Sequence, residues 1–238
     1  MKIQSYAVLF SKYWEIEMKR YAIIVAGGSG QRMKSSIPKQ FMELVGRPVL
    51  MHTLEKFYSS SASIELIVVL PKPHHSTWKT LCTRHQFSIP HQIAVGGASR
   101  FESVKSGLKF CSEVSIIAVH DGVRPLISSD LILRMYKETE MNKALIPVCP
   151  ITESIRRVSD GSSKALDRSQ YYLVQTPQCF SSETLQKAYQ QEEKATFTDD
   201  ASVVEATGQK VFLCDGESSN IKLTSPKDLL LAEAIMSR

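Results

Sequence analysis

The chain has 238 residues, 43% of them hydrophobic and 22% charged, which excludes a collagen, a coiled coil and a wholly disordered chain. Its longest apolar runs fall far short of the roughly 18–20 residues that span a bilayer, so we expect no membrane partner. The formal net charge of +5 comes from dispersed bases. We therefore expect no nucleic-acid partner, and a small anionic substrate explains the charge as well.

Residues 1–17 precede Met18-Lys19-Arg20, which looks like a natural start of the fold. We interpret residues 1–17 as an N-terminal extension and residues 18–238 as a single domain. The extension has only a short apolar patch, residues 6–10, and no small-residue cleavage site. It does not resemble a secretory signal, and we expect a cytoplasmic protein.

Apolar runs recur along the domain, most of them without polar alternation, as in strands buried on both faces of a sheet. In chain order they are residues 22–25, 64–70, 114–119, 145–148 and 211–213. Stretches of helical period lie between them, marked by Leu50, Leu54 and Phe57, by Val104, Leu108 and Cys111, and by Leu131, Met135 and Thr139. This alternation predicts an α/β fold, a Rossmann-like open sheet that is mostly parallel and flanked by helices.

Two later segments depart from the alternation. Residues 152–173 are polar and β-capable around Asp160-Gly161, a dipeptide typical of hairpin turns. We predict a β-arm at about residues 151–172 that projects from the core. The final segment places a Ser225 N-cap before Pro226 and Asp228, which predicts a C-terminal helix.

The five cysteines are scattered, odd in number and never in C-x-x-C spacing, which argues against disulfides and a zinc site. We interpret them as buried small hydrophobes in a reducing compartment. The pairs Asp199-Asp200 and His74-His75 lack a complete set of metal ligands at recognisable spacing. We therefore expect a helix N-cap at the first pair and an exposed loop at the second.

A glycine-rich turn follows the first predicted strand, with the sequence Ala26-Gly27-Gly28-Ser29-Gly30-Gln31-Arg32-Met33. Glycines let backbone N–H groups approach a polyphosphate, because no Cβ atom intervenes. The turn is not a P-loop, because no Gly-Lys-Ser/Thr closes it, and Met33 stands where a dinucleotide fingerprint ends in glycine. What remains is the outline of a phosphate cradle with two cations, Arg32 and Lys39.

This pattern, followed by Pro38-Lys39-Gln40, resembles the signature of the sugar-phosphate nucleotidyltransferases, specifically the cytidylyltransferases acting on 2-C-methyl-D-erythritol 4-phosphate. Further ordered matches are Gly96-Gly97-x-x-Arg100-x-x-Ser103-Val104, His120-Asp121-x-x-Arg124-Pro125, Thr176-Pro177-Gln178, Thr198-Asp199-Asp200-Ala201-Ser202 and Asn220-Ile221-Lys222-x-Thr224. The resemblance covers about residues 20–235. It implies that an oxygen of a sugar-alcohol phosphate attacks the α-phosphorus of CTP and releases pyrophosphate.

The resemblance also assigns residues to the nucleotide. The predicted catalytic residues are Arg32, Lys39, Asp121 and Lys222, and the predicted CTP-binding residues are Ala26, Gly27, Gly28, Gly30, Gly96, Gly97 and Ser103. Asp121 follows a buried strand, at the edge where open α/β sheets bind ligands. A carboxylate among phosphates suits Mg²⁺ or another divalent cation, so Asp121 is the predicted metal ligand. Ser103 would hydrogen-bond the base, unless it is an ordinary serine of a first helical turn.

For the acceptor, the resemblance implies binding by Arg124, Ser154, Arg168, Thr176 and Thr198. An arginine suits a phosphate because its guanidinium donates two parallel hydrogen bonds. Ser154 and Arg168 lie in the predicted arm, and the arm of the family crosses to a second subunit and completes the partner's acceptor site. We therefore expect a homodimer, although Arg168 could instead form an ion pair on a polar arm.

Two alternatives stay open. A ribitol 5-phosphate cytidylyltransferase shares most motifs, although Arg100-Phe101-Glu102-Ser103-Val104 and Asn220-Ile221-Lys222 look more like the isoprenoid enzymes. A non-catalytic nucleotide-binding module would use the same fold, but binding alone would not require all four predicted catalytic residues. The prediction is therefore an enzyme, a cytidylyltransferase of non-mevalonate isoprenoid precursor synthesis.

Overall fold

The computed structural model describes residues 18–28 and 37–237. The predicted extension at residues 1–17, together with Gly30 and Arg32, lies outside the described residues. In chain order the strands are β1 (Lys19–Val25), β2 (Glu43–Leu44), β3 (Arg47–Pro48), β4 (Ile64–Leu70), β5 (Gln92–Val95), β6 (Ser115–Asp121), β7 (Ala144–Pro150), β8 (Arg156–Ser159), β9 (Ser162–Ala165), β10 (Tyr172–Val174), β11 (Gln178–Ser181) and β12 (Phe212–Asp215). The helices are α1 (Val49–Ser60), α2 (His75–Arg84), α3 (Arg100–Leu108), α4 (Ser129–Asn142), α5 (Ser182–Ala188), α6 (Asp200–Glu205) and α7 (Pro226–Met236).

Eight of the strands form one sheet, in the order β10-β7-β11-β6-β1-β4-β5, with β12 also paired to β7. The strands β1, β4, β5 and β6 pair with one another in parallel, and β7 is parallel to β12. Within this sheet of the described residues, β10 and β11 are the two strands that run antiparallel to their neighbours. The mostly parallel open sheet predicted from the alternation of strands and helices is confirmed.

The two faces of β1 are both buried, as its unbroken apolar sequence predicts. Ile24 packs into a core that holds residues of α1, α2 and α4, whereas Ile23 packs into a second core that holds residues of α3, α5 and α6. Successive side chains of a strand point to opposite faces, so helices cover the sheet on both sides. A fully buried parallel sheet of this kind leaves its strand ends as the place for a ligand.

The register of the parallel strands brings several chain segments to one edge of the sheet. Val25, at the end of β1, pairs with Asp121 at the end of β6 and with Val69 of β4. Leu70 then pairs with Val95 at the end of β5. The loops that follow these strands therefore start side by side.

Several element boundaries differ from the prediction. The run 64–70 is a strand with the predicted bounds, but β6 starts one residue late, because Val114 is 66% exposed outside the sheet, and it continues to Asp121. Helix α3 ends at Leu108, and Cys111 lies beyond it in a turn closed by its N–H to the Leu108 carbonyl. The elements not predicted from the sequence are α2, α5, β2, β3, β5, β10 and β11, whereas the helix start expected at Asp199-Asp200 is that of α6.

The hairpin predicted around Asp160-Gly161 is formed by β8 and β9. Asp160 and Gly161 both have positive φ, 48° and 75°, as a two-residue hairpin turn with the right-handed strand twist requires. All eight strand residues are exposed. The C-terminal helix is also confirmed, and Ser225 and Asp228 form a capping box at its start.

Two minor expectations were wrong. His74 ends a short 3₁₀ helix and His75 begins α2, with its Nε2 at 2.9 Å from the Leu70 carbonyl, so the pair is not an exposed loop. Of the five free cysteines, only Cys179 is fully buried; Cys82, Cys111 and Cys214 lie at the margins of the two cores, and Cys149 is partly exposed. Within residues 18–28 and 37–237, no helix is long and apolar enough to cross a membrane.

Candidate active site

A cavity of about 300 Å³ opens at the carboxyl edge of β1, β5 and β6. Its walls come from the start of the glycine turn, the segment after Pro38, the loop before α3, the end of β6 and a loop after β12. The lining residues are Val25, Ala26, Gly27, Gly28, Lys39, Gln40, Gly97, Ala98, Ser99, Arg100, Ser103, Asp121, Val123 and Lys222. Residues from as far apart in the sequence as Val25 and Lys222 thus meet in one place.

Asp121 is the centre of charge in this cavity. Lys222 Nζ lies 3.0 Å from its Oδ2, and Arg124 Nε donates to the same oxygen at 3.3 Å. Burial alone would raise the pKa of the carboxyl, but the cations of Lys222, Arg100 and Arg124 hold it well below its usual range. Asp121 is therefore a carboxylate at every physiological pH, inside a cluster with net positive charge.

His120 and Thr176 support Asp121 from behind. The Thr176 hydroxyl accepts the backbone N–H of Asp121 at 3.1 Å and lies 3.1 Å from His120 Nδ1. His120 Nε2 lies 3.2 Å from the Arg124 carbonyl. Because burial lowers the pKa of His120 to about 4, the imidazole is neutral, and the network assigns its proton to Nε2. Thr176 therefore contacts the back of Asp121 and does not line the cavity.

Lys39 reaches the cavity from a short 3₁₀ helix, Lys39–Phe41, that Pro38 precedes. A Cβ atom at Gly28 would lie 3.2 Å from Lys39 Cε, so the absence of a side chain at Gly28 gives the lysine its path. Gln40 follows and is 1% exposed. Its two amide atoms have no hydrogen-bond partner among the described residues. Lys39 thus lies beside Gly28, at the described start of the glycine turn.

The loop between β5 and α3 is shaped by Gly96, Gly97 and Ser103. The Gly97 position allows no side chain, because a Cβ there would lie 2.3 Å from Glu102 Cβ. The Ser103 hydroxyl accepts the Gly97 N–H at 3.2 Å and donates to the Ser99 carbonyl at 2.8 Å. Ser103 is thus placed at the cavity, where its hydroxyl also ties the loop to the helix.

Arg100 is a cavity residue that the sequence analysis assigned to no site. Its guanidinium donates to both carboxylate oxygens of Asp200, at 2.8 and 2.6 Å, and the Tyr189 hydroxyl donates to the same carboxylate at 2.6 Å. Asp200 is fully buried. Of the pair Asp199-Asp200, at which a helix N-cap was expected, Asp199 is the N-cap and forms a capping box at the start of α6. The presence of Arg100 in a quoted motif was the only signal available from the sequence.

The predicted acceptor residues occupy three different places. Arg124 lies under the cavity floor, where its Nη1 donates to the Asn220 carbonyl at 2.7 Å. Thr198 is exposed, just before α6. Ser154 and Arg168 line a separate hollow on the arm, and the Arg168 guanidinium contacts the Thr152 carbonyl. Within one copy of the described chain, the arm residues therefore do not join the cavity.

The described lining of the cavity offers one carboxylate to a magnesium ion, so further ligands must come from a substrate and water. Within residues 18–28 and 37–237 there is no group of three or more His, Cys, Asp or Glu side chains that could hold a metal. Asp121 is the one carboxylate among the described lining residues, and both neighbouring cations contact its Oδ2. Because Mg²⁺ is commonly bound by one or two carboxylates together with substrate phosphates and water, the site fits an ion that arrives with a polyphosphate.

Comparison with known proteins gives one consistent result. The sequence model of the IspD family, 2-C-methyl-D-erythritol 4-phosphate cytidylyltransferase, matches residues 21–238. The protein of that name from Bacteroides thetaiotaomicron is 48% identical over 219 residues, which cover 92% of this chain and 100% of the relative. The one from Porphyromonas gingivalis is 47% identical over 223 residues, covering 93% and 100%.

Solved structures agree with the sequence relatives. The 4-diphosphocytidyl-2C-methyl-D-erythritol synthase of Anaerococcus prevotii superposes with a TM-score of 0.78 at 30% identity, covering 93% of this chain and 99% of that one. The 2-C-methyl-D-erythritol 4-phosphate cytidylyltransferase of Thermus thermophilus gives 0.72 at 29% identity, covering 93% and 100%. The fold, the cavity and these relatives together establish that the chain belongs to the 2-C-methyl-D-erythritol 4-phosphate cytidylyltransferase family.

Proposed function

We propose that this chain joins CTP and 2-C-methyl-D-erythritol 4-phosphate, and that the reaction takes place in the cavity around Asp121. The products are 4-diphosphocytidyl-2-C-methyl-D-erythritol and pyrophosphate, in the non-mevalonate route to isoprenoid precursors. The observation that carries the proposal is that Lys39, Asp121 and Lys222 line one cavity in a chain of this family.

The chemistry is a direct displacement at phosphorus. A phosphate oxygen of the acceptor forms a bond to the α-phosphorus of CTP, the bond from that phosphorus to the bridging oxygen breaks, and pyrophosphate leaves with the electron pair. Such transfers depend on positioning and on stabilising negative charge. A cavity with Lys39, Lys222 and Arg100 in its lining supplies that stabilisation.

The nucleotide would lie along the ends of β1 and β5. Backbone N–H groups of Ala26, Gly27 and Gly28, with Gly30 from the motif, would approach the triphosphate, and Lys39 and Arg32 would bind its oxygens. Gly96, Gly97 and Ser103 would face the cytosine and ribose. An oxygen on the reacting phosphorus would lie between Lys39 and Lys222. It would then have a cation on each side.

Asp121 would hold a magnesium ion together with phosphate oxygens of the nucleotide, beside the cations Lys222 and Arg124. The ion would neutralise charge on the triphosphate and help to orient it. Lys222 then has two roles, because it keeps Asp121 ionised and presents an ammonium group to the transferred phosphate.

For the acceptor, we propose direct contacts from Thr198 of one copy and from Ser154 and Arg168 of a second, whereas Arg124 and Thr176 would act from beneath the cavity by holding Asp121. What supports a second copy is the arm itself, with Tyr172 at 50% and Leu173 at 58% exposure beside its base. A homodimer would bury this surface. Mixing subunits that carry Arg168→Ala with subunits that carry Lys39→Ala should restore activity to the mixed dimer, and heterodimers without such recovery would contradict a crossing arm.

We further propose that the protein works in the cytoplasm. All five cysteines are free, which suits a reducing compartment. A cell fractionation with an antibody to the native chain would test this, and recovery of the protein outside the cytoplasmic fraction would contradict it.

The acceptor is tested by measuring pyrophosphate release with CTP and Mg²⁺, offering methylerythritol 4-phosphate and ribitol 5-phosphate in parallel. We expect strong turnover with the first compound alone. A preference for ribitol 5-phosphate would leave the assignment of the CTP cavity unchanged and would change the acceptor. No turnover with either compound would favour a nucleotide-binding module.

A further inference from the structure

We propose that Gln175 is a positioning residue for nucleotidyl transfer, acting by fixing the loop that carries Lys222. This inference rests on the proposed function for its kinetic part, and it concerns a residue that does not line the cavity. Gln175 follows β10 and is 8% exposed. Its side chain binds the backbone of Glu217 in the loop after β12, and the Glu217 carboxylate accepts from the Ser128 N–H and hydroxyl, so this part of the loop is held from two sides.

The Gln175 carboxamide binds both backbone groups of one residue, Glu217. Its Nε2 donates to the Glu217 carbonyl at 2.7 Å, and its Oε1 accepts the Glu217 N–H at 3.1 Å. The same Oε1 lies 3.4 Å from Asn220 Nδ2. A carboxamide that donates and accepts in this way imitates a neighbouring strand, so it holds the loop in one register.

A glycine beside this contact shows how close the approach is. A Cβ atom at Gly216 would lie 2.6 Å from Gln175 Oε1 and 3.1 Å from the Val148 carbonyl. The Gly216 N–H donates to that carbonyl at 2.8 Å. The chain thus has a glycine where the Gln175 side chain needs the space, which argues that the contact is built into the fold.

From Glu217 the anchoring continues to the reacting centre. Asn220 Nδ2 donates to the Thr176 carbonyl at 2.9 Å, and the Asn220 carbonyl accepts from Arg124 at 2.7 Å. Beyond Lys222, the Leu223 N–H donates to the Val123 carbonyl at 2.9 Å. Lys222 therefore extends from a backbone that is held on both sides, and its ammonium group reaches Asp121.

Gln175 is itself placed by the arm. Its backbone N–H donates to the Pro147 carbonyl at 2.9 Å, which continues the antiparallel pairing of β10 with β7. The next residue is Thr176, whose hydroxyl supports Asp121. The base of the arm thus positions Lys222 through the Gln175 side chain and Asp121 through Thr176.

The test is a double-mutant cycle with Gln175→Leu, which keeps the volume and removes both hydrogen bonds, and Lys222→Ala. We expect Gln175→Leu to lower kcat by about 10- to 100-fold in the native background, with a change in the KM for CTP of less than about threefold. In the Lys222→Ala background the same change should lower kcat by less than about twofold, because the residue it positions is gone.

A matched control is Gln191→Leu, since the Gln191 carboxamide also donates to two backbone carbonyls, those of Ala188 and Val203, away from the cavity. It should lower the melting temperature and leave kcat unchanged. An equal loss of kcat from Gln175→Leu in both backgrounds, or no loss in the native one, would overturn the inference.

A second readout does not depend on activity. Limited trypsin digestion of the folded protein should cut after Lys222 at least about tenfold faster in Gln175→Leu than in the native chain or in Gln191→Leu, because a released loop is open to the protease. An unchanged cleavage rate after Lys222 would contradict the positioning role. Absence of turnover by the native enzyme would contradict the proposed function. The cleavage rate after Lys222 would still test whether Gln175 positions the loop.

Discussion

Lys222 Nζ lies 3.0 Å from Asp121 Oδ2, although the two residues are 101 positions apart in the sequence. Asp121 ends a central strand, whereas Lys222 lies in the loop between β12 and α7. This ion pair ties the last part of the fold to the carboxyl edge of the sheet. It also places a cation beside the carboxylate that would bind the metal, so the pair links structure to the proposed chemistry.

Replacing Lys222 should therefore alter both rate and titration. In Lys222→Met we expect kcat to fall by about 100-fold, because a cation at the reacting phosphate is lost. The pKa of Asp121 should rise, since Lys222 is the strongest of the cations that lower it, and the acid limb of the rate profile should move to higher pH. Lys227→Met, in the first turn of α7, is the matched control. An unmoved acid limb would contradict the role of Lys222.

The buried His120 predicts how stability depends on acidity. Its pKa is lowered by burial from 6.5 to about 4, so below pH 6.5 the unfolded chain binds a proton that the folded chain does not. The contribution of the neutral His120 to the free energy of unfolding is then fully present above pH 6.5. This contribution should decrease by roughly 3 kcal/mol as the pH falls to 4. Urea unfolding of His120→Gln should show a shallower dependence over this window, and an identical slope in the two proteins would show that His120 does not titrate as described.

The Asp200 carboxylate is expected to matter for stability. Asp200→Asn leaves the Arg100 guanidinium without its charged partner, and breaking a buried ion pair from one side is destabilising by about 3 kcal/mol. Tyr189→Phe removes one hydrogen bond to the same carboxylate and should reduce the free energy of unfolding by only about 1 kcal/mol. Urea titrations of both variants measure the two losses in the free energy of unfolding. Equal losses would contradict the ion pair of Arg100 with Asp200 as the larger contribution.

Gly97 provides a test of the nucleotide loop. In Gly97→Ala the new Cβ would collide with Glu102, so the loop before α3 must shift and the KM for CTP should rise about tenfold. Gly208→Ala is the control, because Gly208 has φ +82° but no atom within 4 Å of a new Cβ. That change should lower the melting temperature and leave the KM for CTP as it was. A normal KM in Gly97→Ala would remove this loop from the binding site.

The sheet and the position of Asp121 were predictable, because long apolar runs such as Ile64–Leu70 report burial on both faces. Shorter elements were not. β5 has four residues of which only Ala94 is fully buried, and α2 buries only Trp78, so neither produces a strong periodic pattern. Their formation depends on the neighbouring strand or on the core, which a local pattern does not contain.

The same limit applies to the site. The motifs identified Lys39, Asp121 and Lys222, which the structure brings to one cavity. They did not identify the partners that hold these residues. The Asp200 carboxylate at Arg100 and the Gln175 amide at Glu217 join distant parts of the chain, and only the three-dimensional pairing of strands and loops brings them together.

The most direct test of the account measures pyrophosphate release and product mass together, with CTP, Mg²⁺ and 2-C-methyl-D-erythritol 4-phosphate, for the native chain and for Asp121→Asn. We predict that the native chain forms 4-diphosphocytidyl-2-C-methyl-D-erythritol and pyrophosphate in equal amounts. The isosteric variant should be slower by on the order of 100-fold, because it lacks the carboxylate at the centre of the cavity. No product from the native chain, or equal rates in the two proteins, would contradict the account.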